Sequence, residues 1–242
     1  MSQLQRLTIS EQQCQGRTLD LLPEQVHYLR RVLRLAPGSR FIAQDGQGQQ
    51  WLATLGDKLD QAELEEVQRG GSAIAPFILI AALPKGSGFD AVVRQATEIG
   101  VTDIYPVLSQ RTLLNPSDSR VSRWQRIAQE ASEQSERLTI PEIHPPVSFP
   151  ALLQQPALAS QQYLCVARGE YPHLLTQLQK DLSAAAAVAI AIGPEGGWTP
   201  EEIAEAAVKG YQPVSLGSAI LRAVTASIVA LAIVAAVREP YR

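Results

Sequence analysis

The sequence predicts an α/β fold, a mostly parallel sheet covered by helices on both faces, with a small strand-rich domain ahead of it. Three observations predict this. From Phe77 onward, apolar strand-like runs alternate with segments of helical spacing, the order that builds a parallel sheet. The run Val188 to Ile192 stops at Gly193 and is followed by Thr199, Pro200 and Glu202, the residues of a capped helix start. Before residue 72 the pattern is one of short strands and turns, closed by the linker-like Gly70-Gly71-Ser72-Ala73. The sequence therefore divides into a first domain over 1–72 and a second over 73–242.

In the first domain, Asp45-Gly46-Gln47-Gly48 is a turn cluster between Arg40–Ala43 and Trp51–Thr54, which suits a hairpin with a longer loop. In the second, Phe77 to Leu83 reads as a strand. Phe89, Val92, Val93, Ala96 and Ile99 then recur at helical spacing up to Gly100, a stop. Thr102 to Leu108 is the next strand. Val121, Trp124, Ile127, Ala128 and Ala131 share one face of a long amphipathic helix. A Pro-rich bend, 141–150, precedes strands near Tyr163–Val166 and at Val188–Ile192. The capped helix, a strand from Tyr211 to Leu216 and a last helix from about Ser218 to Val237 complete the chain. That last helix is apolar nearly all round, so it must be buried on more than one side. It runs through the core or sits between subunits, and a homodimer is the expectation.

Composition excludes several function classes. With 45% hydrophobic residues among 242, a sizeable core is available. A formal charge of -3 gives no global pull toward nucleic acid, so any RNA contact must rest on local patches. Cys14 and Cys165 are too few for a disulfide framework and suggest a reducing compartment. No basic start followed by an apolar core is present at the N-terminus, so no signal peptide is expected. The apolar run Ala223 to Val237 is shorter than the roughly 18–20 residues a bilayer span needs. A cytoplasmic protein that contacts no membrane is the expectation.

The centre of interest is Gly193-Pro194-Glu195-Gly196-Gly197-Trp198, with a second glycine loop at Leu216-Gly217. Strand, glycine turn and capped helix together mark the usual ligand site of an α/β protein; a tight turn alone is the plainer reading. The loop lacks the Lys-Ser/Thr of a phosphate-binding P-loop. Gly86-Ser87-Gly88-Phe89-Asp90-Ala91 fits the loose dinucleotide pattern. Pro84-Lys85 lengthens its turn, however, and Asp103 lies short of the ribose-carboxylate offset. His27, His144 and His173 are not at ligand spacing with the cysteines, so no metal is expected. No Gly-x-Ser-x-Gly elbow is present. Arginines cluster at Arg30, Arg31, Arg34 and Arg40, and again at Arg111, Arg120, Arg123 and Arg126, with Lys85 and Arg94 upstream. Such a cluster suits phosphate, solvated helix faces being the alternative.

Taken together these residues resemble the RsmE family of 16S ribosomal RNA methyltransferases, in the SPOUT superfamily. The glycine loop, Leu216-Gly217 and Ile220-Leu221-Arg222 match its C-terminal signature. His27, Val32-Leu33-Arg34-Leu35 and Gly38 match its N-terminal, PUA-like domain. Lys85-Gly86, Gln95-Ala96-Thr97-Glu98-Ile99-Gly100-Val101, Ser109, Arg111, Trp124–Ala128, Glu133-Gln134-Ser135, Arg137 and Pro141-Glu142-Ile143 match the stretch between.

The resemblance implies an α/β SPOUT domain with a parallel sheet and a deep trefoil knot, a feature nearly absent from other folds. It implies a homodimer and N3-methyluridine as the product in small-subunit RNA. It also implies S-adenosylmethionine in a pocket of three loops, here mapped onto Val166, onto Ile192, Gly193, Gly196 and Gly197, and onto Leu216, Gly217, Ile220 and Leu221. Arg30, Arg31, Arg34, Lys85, Arg111, Arg126 and Arg137 are the candidates for the RNA face. Negative charge on the uracil oxygens needs a cation or donor. Arg222 is the first candidate, with a phosphate or dimer contact as its alternative. Glu195 or Glu98 is the candidate for proton removal, with loop ordering as the alternative for Glu195.

One departure stands out. The family commonly reads Leu-Arg-Thr-Glu-Thr-Ala where this chain has Leu221-Arg222-Ala223-Val224-Thr225-Ala226, so the acid is replaced by Val224. Gln95 and Gln110 also stand where Lys and Glu are frequent. A non-catalytic RNA-binding protein that retains the SPOUT-like fold is the alternative function.

Overall fold

The computed structural model describes residues 4–69, 75–112, 118–181 and 186–238. The expected linker at Gly70–Ala73 lies outside them. The chain divides into two units: Met1–Ser72 with Ser132–Ile140, and Ala73–Ala131 with Pro141–Arg242. The segment 132–140, which the sequence reading places wholly in the second domain, thus belongs with the first unit.

The first unit contains β1 (Arg6–Thr8), β2 (Cys14–Gln15), β3 (Thr18–Asp20), α1 (Pro23–Val26), β4 (Arg40–Gln44), β5 (Gln49–Leu55) and β6 (Gln61–Arg69). The strands form one sheet in the order β1-β4-β5-β6-β3-β2, and Leu19, Leu29, Phe41, Ala43 and Ala53 sit fully buried in its core. The predicted hairpin is β4–β5, and Asp45 explains its turn. One carboxylate oxygen accepts the backbone N–H groups of Gln47 (2.7 Å) and Gln49 (2.9 Å). Residues 132–140 join this unit by backbone pairing: Ile140 N–H donates to Gly46 O at 2.9 Å and Gly48 N–H to Leu138 O at 3.1 Å. The Glu133 carboxylate accepts Thr8 N–H at 2.8 Å, and Glu136 pairs with Arg6 at 2.9 Å. After α1 the chain continues as a π-helical turn, His27–Val32, a form frequent at functional sites.

The second unit carries β7 (Phe77–Ala82), α2 (Gly88–Ile99), β8 (Asp103–Leu108), α3 (Asp118–Gln134, its last residues in the first unit), β9 (Glu142–Ile143), β10 (Val147–Ser148), α4 (Phe149–Leu153), β11 (Gln161–Cys165), α5 (Leu174–Asp181), β12 (Val188–Ile192), α6 (Pro200–Val208), β13 (Gln212–Val214) and α7 (Ala223–Arg238). The sheet runs β10-β8-β7-β12-β11-β13 with β9 beside β8, and every pairing in it is parallel. The Pro-rich bend therefore holds two short strands that the sequence reading missed. β7 and β12 are buried at every residue, as central strands of a sheet covered on both faces must be. Ile78, Ile80, Ala189 and Ala191 cluster with Phe149 and Leu152 of α4, Ala206 of α6 and Trp198 of the loop before α6. α2, α5 and α7 pack together, and α7 lies against β7 and β12.

α7 begins at Ala223, not near Ser218. Ser215 Oγ accepts Gly217 N–H and donates to Gly217 O, both at 3.1 Å. Gly217 stands at φ 122°, a conformation a helix excludes. At its other end Arg238 donates to the carbonyls of Ala75, Pro76 and Ala186, with its guanidinium 5.0 Å from the Phe77 ring centroid. No described helix is long and apolar enough to cross a membrane.

Candidate active site

β11 and β12 are parallel neighbours, with Cys165 opposite Ile192, so both chains leave the sheet on the same side. That carboxyl end is where open α/β sheets bind ligands. A pocket lies there, about 520 Å³ of empty space with its open mouth included. Three segments wall it. The end of β11 supplies Cys165, Val166 and Ala167. The glycine loop supplies Ile192, Gly193, Pro194, Gly197 and Trp198. The segment into α7 supplies Leu216, Gly217, Ala219, Leu221, Ala223 and Ala226.

Of the residues the sequence singled out, Val166, Ile192, Gly193, Gly197, Leu216, Gly217 and Leu221 line this pocket, while Gly196 and Ile220 do not. Ile220 is 60% exposed. Gly196 turns outward, its carbonyl accepting from Arg111 Nη1 at 2.6 Å. The sequence reading missed Cys165, Ala167, Pro194, Trp198, Ala219, Ala223 and Ala226. Trp198 had a legible signal, since a buried indole closing a glycine turn needs a reason. It stacks on Phe149 with centroids 4.3 Å apart, and a Cβ on Gly193 would stand 3.2 Å from its ring. Gly193 is bare because the indole lies against it. Gly197 adopts φ 70° with no atom within 4 Å of where a Cβ would be, so its bare face opens onto space.

The walls are almost uncharged. Cys165 is the one titratable side chain among the lining residues, and burial pushes its thiol up to about 12, so it stays protonated at neutral pH. Trp198 Nε1 is buried without a partner among the described residues, a donor left for a ligand or a water. Such a pocket supplies shape, backbone groups and one indole N–H, but no acid or base of its own.

The candidate chemistry lies at the rim. Arg222 is exposed between the lining residues Leu221 and Ala223, its carbonyl accepting Ala226 N–H at 2.8 Å. Glu195 is exposed, and its Oε1 accepts Lys85 N–H at 3.0 Å. Glu98 is not at the rim: it is exposed in the last turn of α2, which runs away from the carboxyl ends of the strands. Val224 is not among the lining residues. Its Cγ2 lies 3.3 Å from where a Cβ on Gly88 would stand, and Pro84 Cγ is at the same distance. Position 224 thus packs the start of α7 on the start of α2. The capping box is complete: Thr199 Oγ1 accepts Glu202 N–H at 3.2 Å and Glu202 Oε2 accepts Thr199 N–H at 2.9 Å.

The candidate RNA-face cations separate by environment. Arg31, Arg34 and Lys85 are exposed, and Arg34 stands at φ 55°. Arg126 pairs with Glu130 at 3.7 Å on the surface of α3. Arg30 and Arg137 are half-buried and make contacts within their own unit. Arg30 Nη2 donates to the carbonyls of Gly56 (2.8 Å) and Lys58 (3.1 Å). Burial pushes Arg137 down to about 10, and its Nη2 donates to Thr139 Oγ1 at 3.4 Å. His144 meets carboxylates at both ring nitrogens, Asp103 at 3.0 Å and Glu142 at 3.6 Å, and stacks on Tyr105 at 3.8 Å. The hydrogen bond from His144, opposed by burial, leads the causes that hold the Asp103 carboxyl below its ordinary value.

Comparison with known proteins agrees with this architecture. Residues 72–235 match the model of an RNA methyltransferase domain, and residues 21–67 that of an RNA methyltransferase PUA domain. The ribosomal RNA small subunit methyltransferase E of Synechocystis sp. is 45% identical over 237 residues, 97% of this chain and 78% of that protein. The chain belongs to the ribosomal RNA small subunit methyltransferase E family. The Bacillus subtilis member is 28% identical, with 88% of each chain covered. The crystal structure of the Neisseria gonorrhoeae methyltransferase E, bound to S-adenosylmethionine, superposes with a TM-score of 0.82 at 29% identity, covering 95% of this chain and 96% of that one. The fold is the SPOUT α/β domain with a β-rich PUA-like domain that the family resemblance implies.

Proposed function

We propose that this chain is an S-adenosylmethionine-dependent methyltransferase acting on N3 of a uridine in 16S ribosomal RNA. The observation that carries the reading is the pocket's chemistry. Its walls are apolar and un-ionised, with bare glycine faces and one unpartnered indole N–H. That suits a cofactor that brings its own activation. Trp198, Ile192, Leu221 and the glycines at 193, 197 and 217 would hold it, with Val166 and Leu216 closing the sides. Bound there, S-adenosylmethionine supplies a methyl group already activated as a sulfonium.

The protein's remaining task is orientation and charge. N3 sheds its proton as the N–C bond forms, and negative charge spreads to the flanking uracil oxygens. Arg222, exposed at the mouth, is the cation placed to meet that charge. We assign Glu195 to loop order rather than proton removal, because its carboxylate is engaged with Lys85 N–H. Val224 is assigned to packing, so the absent acid at that position leaves the pocket complete. Arg31, Arg34, Lys85 and Arg126 are the surface cations for RNA phosphates, within a protein of the cytoplasm.

Three further features belong to this reading. β13 at the sheet edge is followed by a return through residues 215–222 that lays α7 over β7 and β12, which supports the trefoil knot that the family resemblance implies. Ile228, Val229, Ile233 and Val237 of α7 are only half-buried, which supports a homodimer. No step is assigned to a metal.

The test uses the purified protein. Calorimetry should give saturable binding of S-adenosylmethionine at one site per chain. With labelled cofactor and small ribosomal subunits from a strain lacking the protein, nucleoside analysis should show label in N3-methyluridine. Binding without transfer to any RNA would leave a non-catalytic RNA-binding protein.

A further inference from the structure

Arg111 stands apart among the basic residues. It sits in a turn fixed at both ends: Thr112 Oγ1 accepts Ser109 N–H at 3.0 Å, Thr112 N–H donates to Ser109 O at 3.0 Å, and Gln110 N–H donates to Glu202 Oε1 at 2.8 Å. Glu202 itself is 1% exposed and shared with the cap of α6. The Arg111 backbone is thus tied to the helix that follows the glycine loop. From that base its side chain runs along the loop. A Cβ on Gly196 would stand 3.1 Å from Arg111 Cδ and 3.4 Å from its Cβ, so a side chain at 196 would press on the arginine. Nη1 then donates to the Gly196 carbonyl at 2.6 Å, a short, charge-assisted bond. On the preceding residue, Glu195 holds Lys85 N–H at 3.0 Å. The loop is clasped on successive residues by the segments after β7 and β8, and the next residue, Gly197, faces the pocket.

We propose that Arg111 is a positioning residue: by fixing the Gly196 carbonyl, and with it the peptide joining Gly196 to Gly197, it holds the pocket's glycine wall in its binding shape. Gly196, which the family resemblance places in the cofactor set, acts through this carbonyl and not as a wall of the pocket. The role differs from the RNA contact expected of Arg111 from sequence. It rests on the cofactor reading above.

The test compares wild type with Arg111→Ala, Arg111→Lys and Gly196→Val, using S-adenosylmethionine as the probe. Loss of a charge-assisted hydrogen bond predicts affinity about 10- to 100-fold weaker in Arg111→Ala. The rise in KM for the cofactor should exceed the fall in kcat, and Arg111→Lys should recover part of the loss. Gly196→Val, which displaces the arginine from the other side, should reproduce the effect. RNA affinity without cofactor should hold at the wild-type value. Unchanged cofactor affinity in Arg111→Ala overturns the proposal, as does weaker RNA binding with cofactor affinity intact. If wild type itself fails to bind the cofactor, the functional reading falls and this proposal with it. Should Arg111→Ala fail to fold, Arg111→Lys and Gly196→Val carry the same comparison.

Discussion

Two glycine turns sit on adjacent strands of the same sheet, and their difference shows what makes a pocket. The turn after β7 carries Gly86 and Gly88; the turn after β12 carries Gly193, Gly196 and Gly197. Both follow a fully buried parallel strand and both precede a helix. In the first, Gly86 takes φ 72° and its bare face is open, while the space beside Gly88 is filled by Val224 and Pro84 at 3.3 Å. In the second, Trp198 fills the space at Gly193 and Arg111 that at Gly196, but Gly197 remains open. An open glycine face becomes part of a binding site where neighbouring strand ends wall the space beside it: Gly86 and Gly197 are both open, but only Gly197 lines the pocket. The dinucleotide-like pattern at 86–91 supplies no lining residue of the pocket.

Filling the open face gives the largest expected effect. In Gly197→Trp the indole enters the pocket, and binding of S-adenosylmethionine measured by calorimetry should weaken at least about 100-fold, near the loss of several good contacts. The left-handed backbone adds about 1–2 kcal/mol of strain, visible as a lower melting temperature. The same kind of substitution at the covered Gly88 should act on stability instead. Gly88→Leu overpacks Val224 and Pro84 and should cost about 1–3 kcal/mol in denaturant unfolding, while the folded fraction still binds the cofactor. Equal loss of binding in both variants would erase the distinction between the turns.

The smallest effect lies away from both turns, at the paired strands β8 and β9. The Asp103 carboxyl sits below its ordinary value beside His144, so the folded state binds its proton less readily than the unfolded chain. The resulting stabilisation is present above the ordinary aspartate value of 3.8 and fades as pH falls through the lower folded value. Asp103→Asn should therefore flatten the acid limb of the stability curve and leave the alkaline limb alone.

Much of this was legible locally. Thr199, Pro200 and Glu202 announce the start of α6, and the capping box forms as their spacing requires. Gly100 ends α2 at φ 111°, as its place after an amphipathic run implies. What the sequence did not carry was long-range pairing. Arg111 and Gly196 are 85 residues apart, and nothing local distinguishes an arginine that holds a carbonyl from one that meets a phosphate. Arg30 and Arg137, both half-buried and hydrogen-bonded within the chain, share that ambiguity. The helical period of α3 runs unbroken to Gln134, so no local mark tells that residues 132–140 join the first unit through Gly46 and Gly48. Position 224 looked like a missing catalytic acid because a motif records residue type and not direction. Its side chain turns to Gly88.

The most direct test is nucleoside analysis of 16S ribosomal RNA from cells lacking this protein, complemented with wild type or with Gly197→Trp. The account predicts that N3-methyluridine disappears on deletion, returns with wild type and stays absent with the variant. Retention of the modified nucleoside in the deletion strain, or its full return with Gly197→Trp, would contradict it.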